Sequence, residues 1–128
     1  MTGSGNERIV DLPNFAPMIQ ATALRTFTER IFSAIGCSDA DARLAADVLV
    51  SADLRGVDSH GVARLPGYVR LYDHGRLNPV PQIRVVHETP STAVVDGDRG
   101  LGLVVGPWAM DVAIDKARTA GTGWVAVR

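Results

Sequence analysis

A single cysteine, Cys37, is the whole cysteine content of the 128 residues. One thiol cannot close an intramolecular disulfide, so position 37 reads as a small buried hydrophobe in a reducing compartment. Neither sign of charge is in excess, with 13 Lys and Arg against 14 Asp and Glu. This balance excludes an acidic or basic tail and removes the electrostatic case for nucleic acid. The opening stretch MTGSGNERIVDLPNF has no apolar h-region behind a basic start, so it does not read as a secretory signal. No apolar run approaches about 18 residues, so no membrane span is expected and a cytoplasmic location is. Also missing are a P-loop, a nucleophile elbow and any Cys/His cluster. His74 and His87 fall in turn and strand patterns without partners at ligand spacing, so no metal site is expected.

What is present is enough for one domain with a real core, since 46% of residues are apolar. Residues 1–16 read as an extended N-terminal arm, with Ile9, Val10 and Leu12 as its apolar points. Residues 17–80 read as a helical segment. Leu24, Phe27, Ile31 and Phe32 recur at helical steps from about Pro17 to Gly36. Ser38 caps a second helix with Asp39 and Asp41 in its first turn, a buried stripe of Leu44, Val48, Leu49 and Ala52, and a stop at Gly56. A third helix is expected from Asp58 or Ser59 toward Asp73, with Pro66 and Gly67 as points of interruption.

Residues 81–128 read as the first part of an α/β domain. Ile83–His87 and Thr92–Val95 are strand candidates, Pro107–Arg118 a helix closed by Gly121, and Trp124–Val127 a buried strand. The fold class is therefore α/β, a helical segment followed by a strand-strand-helix-strand unit. An all-apolar strand normally leads into another element, so the domain reads as incomplete at Arg128.

The stretch DSHGVARLPGY, residues 58–68, carries the chemistry. On one continuous helix, His60 and Arg64 would share a face about 6 Å apart along the axis. Asp58 or Ser59 would cap it. A guanidinium grips a carboxylate through two parallel hydrogen bonds, and a helix amino end also favours an anion. The imidazole can exchange a proton with a group on the neighbouring carbon. Such a site suits a 2-oxo or 2-hydroxy acid. The competing reading is an ordinary capped helix with a solvated His and Arg, and spacing alone favours it.

DGDRGLGLVVG lies between a strand and a helix and approximates a dinucleotide fingerprint. Its third glycine, Gly106, comes one place late for G-x-G-x-x-G, and Arg128 stands where an acidic residue should end the next strand. A tight structural turn is the better reading.

SADLRGVDSHGVARLPGYV closely resembles the signature of the type 2 malate/L-lactate dehydrogenase family, NAD(P)-dependent oxidoreductases distinct from the Rossmann-fold lactate dehydrogenases. That family includes sulfolactate and ureidoglycolate dehydrogenases, diketogulonate reductases and cyclic-imine reductases such as piperideine-2-carboxylate reductase. FTERIFSAIGCSDADARLAADVLVSADLRG is similar to the family's opening helices, and STAVVDGDRGLGLVVGPWAMDVAIDKARTAGTGWVAVR to its following strand-helix-strand segment. The resemblance implies a non-Rossmann fold and a homodimer acting on a small carboxylate substrate such as malate or lactate. It makes His60 the proton donor or acceptor with Ser59 beside it, and Arg64 the substrate-carboxylate ligand. The cofactor would be NAD or NADP, held mostly by residues beyond Arg128. Family members run more than twice this length, so the 128 residues alone are expected to be inactive. Pro107 departs from the usual helix former at its position and should delay that helix. A non-catalytic, self-associating helical module and a small-anion-binding domain are the alternatives outside enzymology.

Overall fold

The computed structural model describes residues 18–128; the expected arm over residues 1–16 lies outside them. Four helices and three strands follow one another as α1 (Ala21–Ala34), α2 (Asp39–Leu54), two short 3-10 turns (Asp58–His60 and Val62–Arg64), α3 (Leu65–Asp73), β1 (Arg84–Glu88), β2 (Thr92–Asp96), α4 (Gly102–Ala120) and β3 (Trp124–Val127). The α/β class and the order of elements agree with the sequence reading.

Helices α1 and α2 form a hairpin. Ser38 Oγ accepts the Asp41 amide at 3.2 Å as the expected cap, and Asp39 and Asp41 sit at the positive end of α2. The buried face of α2 differs from expectation. Ala42, Ala45, Ala46, Leu49 and Val50 are inside, whereas Leu44 is exposed. Small side chains win this face because they let the α1 backbone approach closely, so size misled the pattern. In α1 the helix starts at Ala21 rather than near Pro17, and Phe27 faces outward while Thr28 and Phe32 are buried. Phe27 instead helps line an apolar surface groove of about 420 Å³ with Ile31, Val62, Leu65 and Val69.

The sheet has the order β1-β2-β3. β1 and β2 are an antiparallel hairpin whose register shifts between Val85 and His87. β2 and β3 run parallel, joined by α4 as the crossover. β3 was expected to be buried, yet Trp124 is 72% exposed and Val125 is the most covered of its four residues. Within these residues α4 packs on β3, and the other face of the strand has no covering layer.

Helix α4 starts five residues earlier than expected, at Gly102 instead of Pro107. A proline in a helix interior costs about 3 kcal/mol. Burying Leu101, Val104 and Val105 contributes roughly 1.5–3 kcal/mol for each side chain, which outweighs it. The Leu101 carbonyl accepts both the Val104 and the Val105 amides at 2.9 Å, so the turn before the proline is firmly closed.

One core cluster joins Phe32, Ile35, Cys37, Ala42, Ala45 and Leu49 from the helical hairpin to Leu65 and Leu77, and to Leu101 and Val104 at the start of α4. The surface carrying the SHG motif is thus built directly on this core.

Candidate active site

The expected continuous helix over 59–73 is not formed. Asp58–His60 and Val62–Arg64 are separate 3-10 turns, and Gly61 between them is extended, with φ −87° and ψ −152°. The four-residue helical spacing of His60 and Arg64 therefore does not apply, and neither Asp58 nor Ser59 caps a helix. Pro66 does not interrupt α3; it occupies the first turn, where a missing amide costs nothing.

The break has an identifiable cause. Gly61 is buried against Asp53 of α2, so closely that a Cβ at position 61 would lie 1.7 Å from Asp53 Oδ1. The same carboxylate accepts the Val62 amide through Oδ2 at 3.0 Å. Val62 opens the second turn, so its amide has no partner within that turn. Asp53 supplies the acceptor from nine residues upstream. Sequence reading missed Asp53. The available signal was its place four residues after Leu49, continuing the face defined by Ala42, Ala45 and Leu49; the stripe drawn through Leu44 and Val48 hid it.

Ser59, His60 and Arg64 are all exposed. Ser59 Oγ and His60 Nδ1 are 3.0 Å apart, and Nε2 of this exposed imidazole has no hydrogen-bond partner among the described residues. Arg64 lies beyond Gly61 and lines a hollow of about 280 Å³ with Gly67, Tyr68 and Leu71. His60 does not line that hollow. Among the described residues the side chain of Arg64 has no hydrogen-bond or ion-pair partner, so its five N–H donors are available to an anion.

The glycine-rich loop before α4 has a different character. The Gly97 amide donates to the Arg128 carbonyl at 3.0 Å and the Gly100 amide to the Gly97 carbonyl at 2.8 Å. Asp98 Oδ2 accepts from Asn78 Nδ2 at 2.8 Å and from the Gln82 amide at 3.0 Å. The amides of Gly97, Asp98 and Gly100 are thus engaged inside the fold, and the Asp98 carboxylate ties the loop to the segment before β1. Among the described residues no group of three or more His, Cys, Asp or Glu side chains could hold a metal ion. No helix among them is long and apolar enough to cross a membrane.

Comparison with known proteins identifies the family. The family model described as malate/L-lactate dehydrogenase matches residues 19–128. The chain belongs to that family. The L-sulfolactate dehydrogenase of Methanocaldococcus jannaschii is 49% identical over 98 residues, covering 77% of this chain and 28% of the relative. The malate dehydrogenase of Pyrococcus abyssi is 49% identical over 105 residues, covering 82% of this chain and 29% of the relative. The solved malate dehydrogenase of Pyrococcus horikoshii superposes with a TM-score of 0.83 at 46% identity, over 87% of this chain and 32% of that one. The chain therefore spans under a third of the length of the malate/L-lactate dehydrogenase relatives it matches.

Proposed function

We propose that this chain contributes the proton-transferring and carboxylate-gripping residues of an NAD(P)-dependent 2-hydroxy acid dehydrogenase. The observation that carries the reading is an exposed imidazole and a guanidinium without a partner among the described residues, held on two successive turns around a buried glycine. Arg64 grips the substrate carboxylate, and the fork geometry of a guanidinium sets the orientation of the adjoining C2. His60 Nε2 takes the hydroxyl proton when a 2-hydroxy acid is oxidised and returns it when a 2-oxo acid is reduced. Ser59 serves both directions. Its oxygen accepts from Nδ1–H both when Nε2 is the free base and when the ring is the imidazolium that carries the transferred proton.

The nicotinamide cofactor supplies or removes the hydride. No residue of this chain is assigned to its phosphates; in the glycine-rich loop the amides of Gly97, Asp98 and Gly100 are already engaged. The 128 residues alone are accordingly expected not to turn over. A homodimer and a cytoplasmic location belong to the same proposal, supported by the family resemblance. The relatives' names, malate and sulfolactate dehydrogenase, support small 2-hydroxy acids as the substrate class.

The test is a chimera in which the matched segment of the Pyrococcus abyssi malate dehydrogenase is replaced by residues 19–128 of this chain. Oxidation of malate by the chimera is expected. His60→Ala in it should lower kcat by roughly 10²–10⁴-fold. Arg64→Ala should chiefly raise KM, with partial rescue by Arg64→Lys, since an ammonium cannot reproduce the bidentate fork. A chimera whose kcat is indifferent to His60→Ala would assign the proton to another residue.

A further inference from the structure

We propose that Asp53 is a positioning residue for the site, fixing the angle between the turn that carries His60 and the turn that carries Arg64. The inference rests on the functional reading of those two residues and adds to it a carboxylate outside the SHG segment. Three observations support it. First, Gly61 is the single residue linking the two turns, and its extended backbone sets their relative direction. Second, both sides of that link are held by one group. Asp53 Oδ1 sits against the Gly61 Cα, closing the space a side chain would need, while Oδ2 accepts the Val62 amide at 3.0 Å. Third, among the described residues no side chain from outside the two turns other than Asp53 hydrogen-bonds to them. Ser59, His60 and Arg64 are exposed, and their one side-chain hydrogen bond is the local contact between Ser59 and His60.

Asp53 is suited to this task by its own mounting. It stands in the last turn of α2, where its carbonyl accepts the Gly56 amide at 2.9 Å and the Ala52 carbonyl accepts the Arg55 and Val57 amides. The clamp is therefore carried on a closed helix end whose preceding turn buries Leu49 and Val50. A glycine cannot cap the turn that follows it, having no side-chain acceptor, so the acceptor comes from the helix behind.

The experiment uses the 128-residue chain and has two arms that need no substrate. In a double-variant cycle, Gly61→Ala is expected to lower Tm sharply in the native background and by much less when Asp53→Ala has emptied the space. Equal losses in both backgrounds would overturn the clamp. In the second arm, the ring ¹⁵N resonances of His60 are recorded at fixed pH. Asp53→Ala should move them toward those of an unstructured histidine, and Asp53→Asn, whose amide oxygen still accepts from Val62, should keep them near native. Unchanged His60 resonances in a folded Asp53→Ala variant would overturn positioning and leave Asp53 a structural cap. The chimera separately addresses the functional reading. If the native chain shows both clamp signatures but kcat of the chimera is indifferent to His60→Ala and its KM to Arg64→Ala, the functional reading fails and the clamp stands.

Discussion

The rings of Phe32 and Tyr68 lie 6.0 Å apart at 57°, a tilted aromatic pair that ties α3 to the centre of the core. Tyr68 also lines the hollow beside Arg64, so one side chain anchors the short helix and shapes the site. Tyr68→Ala is expected to destabilise the chain by about 2–4 kcal/mol, and Tyr68→Phe to be nearly neutral, because the hydroxyl has no hydrogen-bond partner among the described residues. Chemical denaturation of the two variants checks this. Equal losses would show that the hydroxyl, rather than the ring, makes the contribution.

Pro107 sits inside α4, where it removes the amide that would donate to the Leu103 carbonyl. Pro107→Ala should restore that bond and raise stability by about 1–3 kcal/mol, with a small gain in helicity. Thermal melts followed by circular dichroism give both quantities. A lower Tm would mean that the ring's packing outweighs the lost hydrogen bond.

Gly123 precedes β3 and passes so close to α4 that a Cβ there would lie 1.9 Å from the Ala113 carbonyl oxygen. Backbone cannot move aside as a flexible side chain can. Gly123→Ala is therefore expected to cost about 3 kcal/mol or more and to loosen the β2–β3 pairing, seen as faster exchange of the Trp124 and Arg128 amides, which donate to Ser91 and Val95 of the neighbouring strand segment. Native exchange rates at those amides would refute the predicted displacement.

The Cys37 thiol is pushed up from 9.0 to about 11, first by burial and then by the Asp41 carboxylate. The folded state thus binds this proton more tightly than the unfolded chain does. Its contribution to stability is fully present below pH 9 and is lost as pH rises through about 11. Alkylation by iodoacetamide at pH 8 should accordingly be slow in native protein and fast in guanidinium. Similar rates in the two conditions would place the thiol at the surface.

Much of this fold is legible in the residues themselves. Trp124–Val127 forms a strand over its predicted bounds, and the other two strands fall within one residue of theirs, because β-branched runs between turn residues leave few alternatives. Ser38 caps α2 for the reason its side chain suggests. The failures share a cause. Alanines define the buried side of α2, Val104 and Val105 carry α4 through a proline, and Asp53 splits the expected third helix at Gly61. Each is a tertiary contact overriding a local preference, and none leaves a trace at adjacent positions. For the candidate site, SHG and the following Arg point in the sequence to the residues proposed here, while their backbone geometry was not legible. It depends on a carboxylate nine residues before the amide it holds.

The sheet combines two kinds of pairing with different kinetic demands. β1 and β2 are joined across residues 89–91, so their hairpin closes locally, on a timescale of about 1–10 μs. Thr92 of β2 pairs with Trp124 only after α4 has returned the chain to the sheet. That parallel pair closes a much longer loop and must wait for its crossover helix. The helical hairpin carrying Asp53 has no such delay, since α1 and α2 are neighbours in the chain. The scaffold for His60 and Arg64 should consequently assemble before the last strand docks, and mutations in β3 should speed unfolding more than they slow folding.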